Sequence, residues 1–96
     1  MWESRLRRLY KKKKSVLDEA EVRKVVESVE GVENCHKVRT RGSKENIYVD
    51  LHIWVNPSLP IGAAHVISHN VEDAIKNKFP GVSDVVVHTE PKHSQK

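Results

Sequence analysis

Residues 47–55 constrain the fold more than any other stretch of the chain. Ile47, Val49, Leu51, Ile53 and Val55 alternate with Tyr48, Asp50, His52 and Trp54. A period of two marks a β-strand, whose successive side chains point to opposite faces of a sheet. Five aliphatics on one face require that face to be covered. The opposite face carries an acid, an imidazole and two aromatics, and it must meet water or a partner.

The cover is legible on both sides of this strand. Val22, Val25, Val26 and Val29 fall at i, i+3, i+4 and i+7, one apolar face of a helix. Asp18 and Glu21 have capping-box spacing, Leu17 and Val22 can form a staple, and Gly31 is expected to end the helix as its C′ residue. A second helix is expected from an N-cap at Ser58 to about Phe79, with Ala64, Ile67, Val71, Ala74 and Ile75 as its buried stripe and Pro80-Gly81 as its stop. Val32 to Arg41 and Ser83 to Glu90 read as strands, and Gly42 to Asn46 as a polar turn. The order is helix, strand, strand, helix, strand. This is an α+β chain, an open αββαβ two-layer sandwich with two helices on one face of a three-stranded sheet.

Ninety-six residues suffice for one small domain, and a core this limited is often completed by a metal or a partner subunit. The net charge of +4 is unevenly spread. Residues 1–14 hold seven basic residues against one acid, while the remainder holds ten against twelve, a mildly acidic −2. The basicity belongs to a leader and not to the fold, so nucleic acid is not expected as a partner. The expected organisation is a basic leader over residues 1–15, a domain over 16–91 and a polar tail over 92–96. The leader carries Trp2, Leu6, Leu9 and Tyr10 at loose helical spacing. It reads either as an amphipathic segment near a membrane surface or as a solvated tail. No stretch approaches the roughly 20 apolar residues of a membrane span. Cys35 stands alone, which excludes an internal disulfide and fits a reducing compartment.

Six histidines are the chemical signal: His36, His52, His65, His69, His88 and His93. If Val85 and Val87 face the covered side, then Val86, His88 and Glu90 share the open side with Asp50 and His52. Two imidazoles and a carboxylate, with a further His, suit tetrahedral Zn²⁺, and borderline N/O ligation also admits Co²⁺, Ni²⁺, Fe²⁺ or Cd²⁺. The competing reading is a polar face that meets only water. Simple alternation puts His36 on the same side as Val38, so His36 needs a bulge or loop to turn outward. Cys35 beside it is either a soft ligand or a packed thiol. His65, His69 and Glu72 lie at i, i+4 and i+7 on the second helix, off its apolar stripe, and His69 is read as solvent-facing. No HExxH, P-loop, GxGxxG, GxSxG or CxxC is present, and the chain is not expected to be an enzyme.

Taken in order, these segments resemble the cytoplasmic C-terminal domain of the cation diffusion facilitators, which are divalent-metal efflux transporters. Gly31 to Arg41 (GVENCHKVRTR) resembles the "GV…H.(L/V)R.R" opening of that domain's first strand. Tyr48 to Ile53 is similar to its "(F/Y)VD.HI" motif, and Pro57-Ser58-Leu59 with Ala64-His65 to its "PSL…AH" helix entry. Val71-Glu72 and Phe79-Pro80 match the end of that helix, and Val85 to Pro91 resembles the closing "V.(V/I)H.(D/E)P". The likeness covers about residues 16–91, and its specificity lies in the ordered set.

The resemblance implies a metallochaperone-like, ferredoxin-like variant fold and a V-shaped homodimer. It implies metal ligands at His36, His52, His65 and His88, with Glu90 where the best-known pattern has Asp. His69 stands where an acid is common. The implied ion is Zn²⁺, with Cd²⁺, Co²⁺, Ni²⁺, Fe²⁺ and Mn²⁺ as alternatives. The implied role is to sense cytosolic metal at the cytoplasmic face of the membrane and to promote export by the membrane domain of the same transporter. A free-standing metallochaperone or metal buffer is the alternative.

Overall fold

The computed structural model describes residues 17–92; the basic leader, His93 and most of the polar tail lie outside the described residues. Among the described residues five elements follow one another: α1 (Glu19–Glu27), β1 (Asn34–Ser43), β2 (Asn46–Val55), α2 (Ile61–Lys78) and β3 (Val82–Pro91). They form one three-stranded sheet in the order β1-β2-β3, with β1 antiparallel and β3 parallel to the central β2. The parallel pair needs a crossover, and α2 supplies it.

Both helices lie over the aliphatic face of the sheet. Val22 and Val26 of α1, Ile67, Val71 and Ile75 of α2, and the five aliphatics of β2 form one buried cluster with Cys35, Val38 and Val85. Leu51 and Ile53 at its centre are fully buried. The expected αββαβ sandwich is therefore the observed one. Among the described residues no helix is long and apolar enough to cross a membrane.

Several boundaries differ from expectation for local reasons. Asp18 caps α1, but its carboxylate accepts from Ala20 N at 3.0 Å, while Glu21 N bonds the Asp18 carbonyl at 3.1 Å. Helix α1 stops at Glu27 rather than running to Gly31. Ser28 N and Val29 N reach back only three residues, to Val25 O and Val26 O, and the Ser28 hydroxyl also donates to Val25 O. Ser58 is not the cap of α2. Its backbone N–H donates to Asn56 Oδ1 at 2.8 Å in a turn, and Pro60 takes the N-cap position without a side-chain bond. The residue before a proline is pushed away from helical geometry, which delays the helix past Leu59. Strand β1 extends beyond Arg41, because Gly42 and Ser43 pair with Ile47 and Asn46 and leave only Lys44-Glu45 as the turn.

Gly31 is required for another reason. Its φ is +97°, and a Cβ there would stand 2.5 Å from Ile67 Cδ1. Gly31→Ala is expected to cost about 1–3 kcal/mol, from left-handed backbone plus displacement of a core side chain. Chemical denaturation checks this; an unchanged midpoint would contradict the close approach of this turn to α2.

Candidate metal centre

The open face of the sheet is built by three strands, each through a different device. On β2 the strict alternation turns Tyr48, Asp50, His52 and Trp54 outward, while each intervening residue is buried. On β3 Val85 is buried and Val86 exposed, so His88 and Glu90 share the outward side. The parallel register sets His52 opposite His88 and Trp54 opposite Glu90.

On β1 a bulge does the work. His36 pairs with His52 and Arg39 with Asp50, so Lys37 and Val38 together oppose the single residue Leu51. Lys37 absorbs the extra residue with a φ of 53°, in the left-handed region. The bulge reverses the alternation, which lets both Cys35 and Val38 enter the core. His36 is left outward beside His52, as the sequence argument required of any outward His36.

One carboxylate spans two imidazoles. His52 Nδ1 donates to Glu90 Oε2 at 2.7 Å, and His36 Nε2 lies 3.6 Å from Glu90 Oε1. One ligand atom from each of these three residues lies within 4.8 Å of the other two. The three side chains are half-buried, open to a ligand but partly screened from water. Trp54 packs against the His36 ring at a centroid distance of 5.3 Å. The hydrogen bond from His52, and then the nearby imidazoles and the Trp54 indole, hold the Glu90 carboxyl below its ordinary pKa. Among the described residues His36 Nδ1, which is buried, has no hydrogen-bond partner, an uncommon state for a buried polar atom.

The other expected ligands are placed differently. The His88 ring stacks on His52 at 4.5 Å, but its Nε2 is engaged by Asp50 Oδ1 at 3.0 Å. His88 is thus a neighbour of the cluster rather than one of its three converging groups. His65 lies on α2, over the opposite face, with its Nε2 3.0 Å from His69 Nε2. Cys35 points into the core, and burial with the nearby Glu27 charge pushes its thiol up to about 11. It is a packed thiol and not a thiolate ligand. Asp50 and Trp54, which the sequence reading placed on the open face without a ligand role, border the cluster. Their signal was the same alternation that selected His52.

Chemically, two imidazoles and a carboxylate make the three-ligand set of an open divalent-metal site. The 2.7 Å His52–Glu90 contact holds a proton where an ion can be held by both groups. The donor set fits a borderline cation.

The model of the cation efflux protein cytoplasmic domain, ZT_dimer, matches residues 3–92 of the chain. The cation-efflux pump FieF of Escherichia coli strain K12 is 38% identical over 95 aligned residues, which cover 92% of this chain and 31% of the pump. FieF of Shigella boydii serotype 18 matches to the same extent. The chain thus spans about a third of the length of these relatives. Among solved structures, a variant of MamM CTD superposes with a TM-score of 0.73 at 27% identity, covering 78% of this chain and 93% of that one. A cadmium form of MamM CTD gives the same score and coverage at 25% identity. A nickel form, at 24% identity and again 0.73, shares the ferredoxin-like fold.

Proposed function

Because the chain belongs to the family of cation efflux protein cytoplasmic domains, we propose that its open sheet face binds a divalent cation, Zn²⁺ first, and thereby regulates a cation diffusion facilitator transporter as a homodimer. The observation that carries this reading is the convergence of His36, His52 and Glu90 within 4.8 Å. These three residues hold the ion, and the two Glu90 oxygens allow it to face two positions. His88 joins when it leaves Asp50. His65, on the far side of its own sheet, contributes only from a second copy of the chain. The ion supplies a positive charge that draws imidazole and carboxylate groups together.

Regulation follows from differential affinity. An arrangement of two protomers that brings the ligands together binds the ion more tightly, so metal shifts the population toward it. In an intact transporter that shift promotes export, which the membrane domain would drive by proton exchange. Residues 1–15 would link the domain to that membrane part, where a basic cluster matches the cytoplasmic side.

The test is zinc titration by calorimetry with analytical ultracentrifugation of the same samples. Zinc is expected to bind at pH 7.5 and to favour a dimer. Its affinity is expected to fall steeply below about pH 6, because imidazole ligands bind only when neutral and ordinarily titrate near ~6.5. Glu90 stays ionised across that range, since its pKa is lowered. An affinity equal at pH 7.5 and 5.5 would exclude histidine ligation. A chain that remains monomeric with and without zinc would overturn the dimeric regulator.

A further inference from the structure

The exposed side of α2 carries a second arrangement of metal-binding groups. His65 and His69 stand one turn apart, where i and i+4 side chains meet on a helix surface. Their Nε2 atoms face each other at 3.0 Å. The rings are nearly perpendicular, at 81°, with centroids 4.5 Å apart, so they meet through nitrogen and not through stacked faces. An ion at the usual ~2.0–2.1 Å from each nitrogen subtends roughly 95° at that separation. This is the bite of two neighbouring positions in an octahedral or square-planar ion, narrower than a tetrahedral pair.

Behind His69 stands Glu72, with Oε1 3.9 Å from the other ring nitrogen, Nδ1. At that distance the carboxylate places a negative charge beside the His69 ring without a hydrogen bond to it. One of the two rings donates its Nε2 proton to the other in the metal-free helix. When an ion displaces that hydrogen bond, the proton moves to the donor ring's own Nδ1, and no net proton need be released.

We propose that His65 and His69 form a chelate for a tetragonal or octahedral divalent transition ion, Ni²⁺ or Cu²⁺, within one protomer and separate from the sheet cluster, with water filling the remaining positions. Glu72 adds a nearby negative charge and does not itself ligate. Because His65 belongs to this pair, an ion on the helix competes with any recruitment of His65 to a sheet site on another copy. The proposal rests on the helix geometry alone and stands whether or not the sheet cluster binds zinc.

The experiment uses the full, untagged chain with His36→Ala and His52→Ala, which removes the sheet centre. Ni²⁺ titration by calorimetry is expected to show one ion per protomer. Adding His69→Ala, or separately His69→Gln, is expected to weaken that binding at least tenfold. Circular dichroism checks that helix content is kept, and the Gln variant separates loss of the imidazole from disturbance of the helix. Absence of Ni²⁺ binding in the sheet-disabled chain overturns the proposal. So does binding that survives either His69 substitution.

Discussion

His52→Ala is expected to lower zinc affinity at least ~100-fold, more than the 10–100-fold typical of losing a group behind a ligand. His52 is the hub of the open face. It pairs with His36 on one side and His88 on the other, and it holds Glu90 at 2.7 Å. Its loss removes one proposed ligand and the shortest contact on a second, leaving Glu90 to its weaker interactions with Trp54 and His36. Folding is expected to change by only about 1 kcal/mol or less, the net worth of one hydrogen bond between partly exposed groups. The check is calorimetric zinc titration beside chemical denaturation. Zinc affinity retained in this variant would show that the centre lies elsewhere.

Leu51→Ala, one residue away, is expected to do the reverse. Leu51 is fully buried at the centre of the aliphatic face, beside Val87 on β3 and beneath the helices. Truncating such a leucine costs about 2–5 kcal/mol, transfer and cavity terms together. A domain with perhaps 5–15 kcal/mol of stability loses a large part of it. The atoms of the proposed centre lie on the other face, so the zinc affinity of the folded molecules is expected to persist. Saturating zinc should then recover part of the lost stability, since it binds the folded state alone. The measurement is the denaturation midpoint with and without zinc. A midpoint unchanged by this substitution would place Leu51 outside the core.

The opposite outcomes expected at residues 51 and 52 follow from what was legible in the sequence. The pleat gives each side chain on β2 a face, and five aliphatics in alternation settle which face is covered. The same logic placed Val85 inward and His88 and Glu90 outward on β3. The helices were legible from their apolar stripes. Their ends were not, because ends depend on individual bonds. The Ser28 hydroxyl on Val25 O, the Asn56 side chain on Ser58 N and the stiffness before Pro60 each move a boundary without altering the stripe.

Among the candidate ligands, the sequence determined the faces of His52, His88 and Glu90, because alternation follows from the covalent geometry of each strand and needs no partner. The tertiary structure decided which of their atoms meet. Strands β2 and β3 are joined through an 18-residue helix, so their register is fixed by how α2 packs and not by a tight turn. That register brings Glu90 to His52, while Asp50 draws His88 Nε2 aside. The outward turn of His36 depends on a bulge at Lys37, which is favourable only because Cys35 and Val38 can then both enter the core. His65 faces away from this cluster for the same reason that its helix is stable: Ile67, Val71 and Ile75 must cover the aliphatic face, and the other side of α2 is left to His65 and His69.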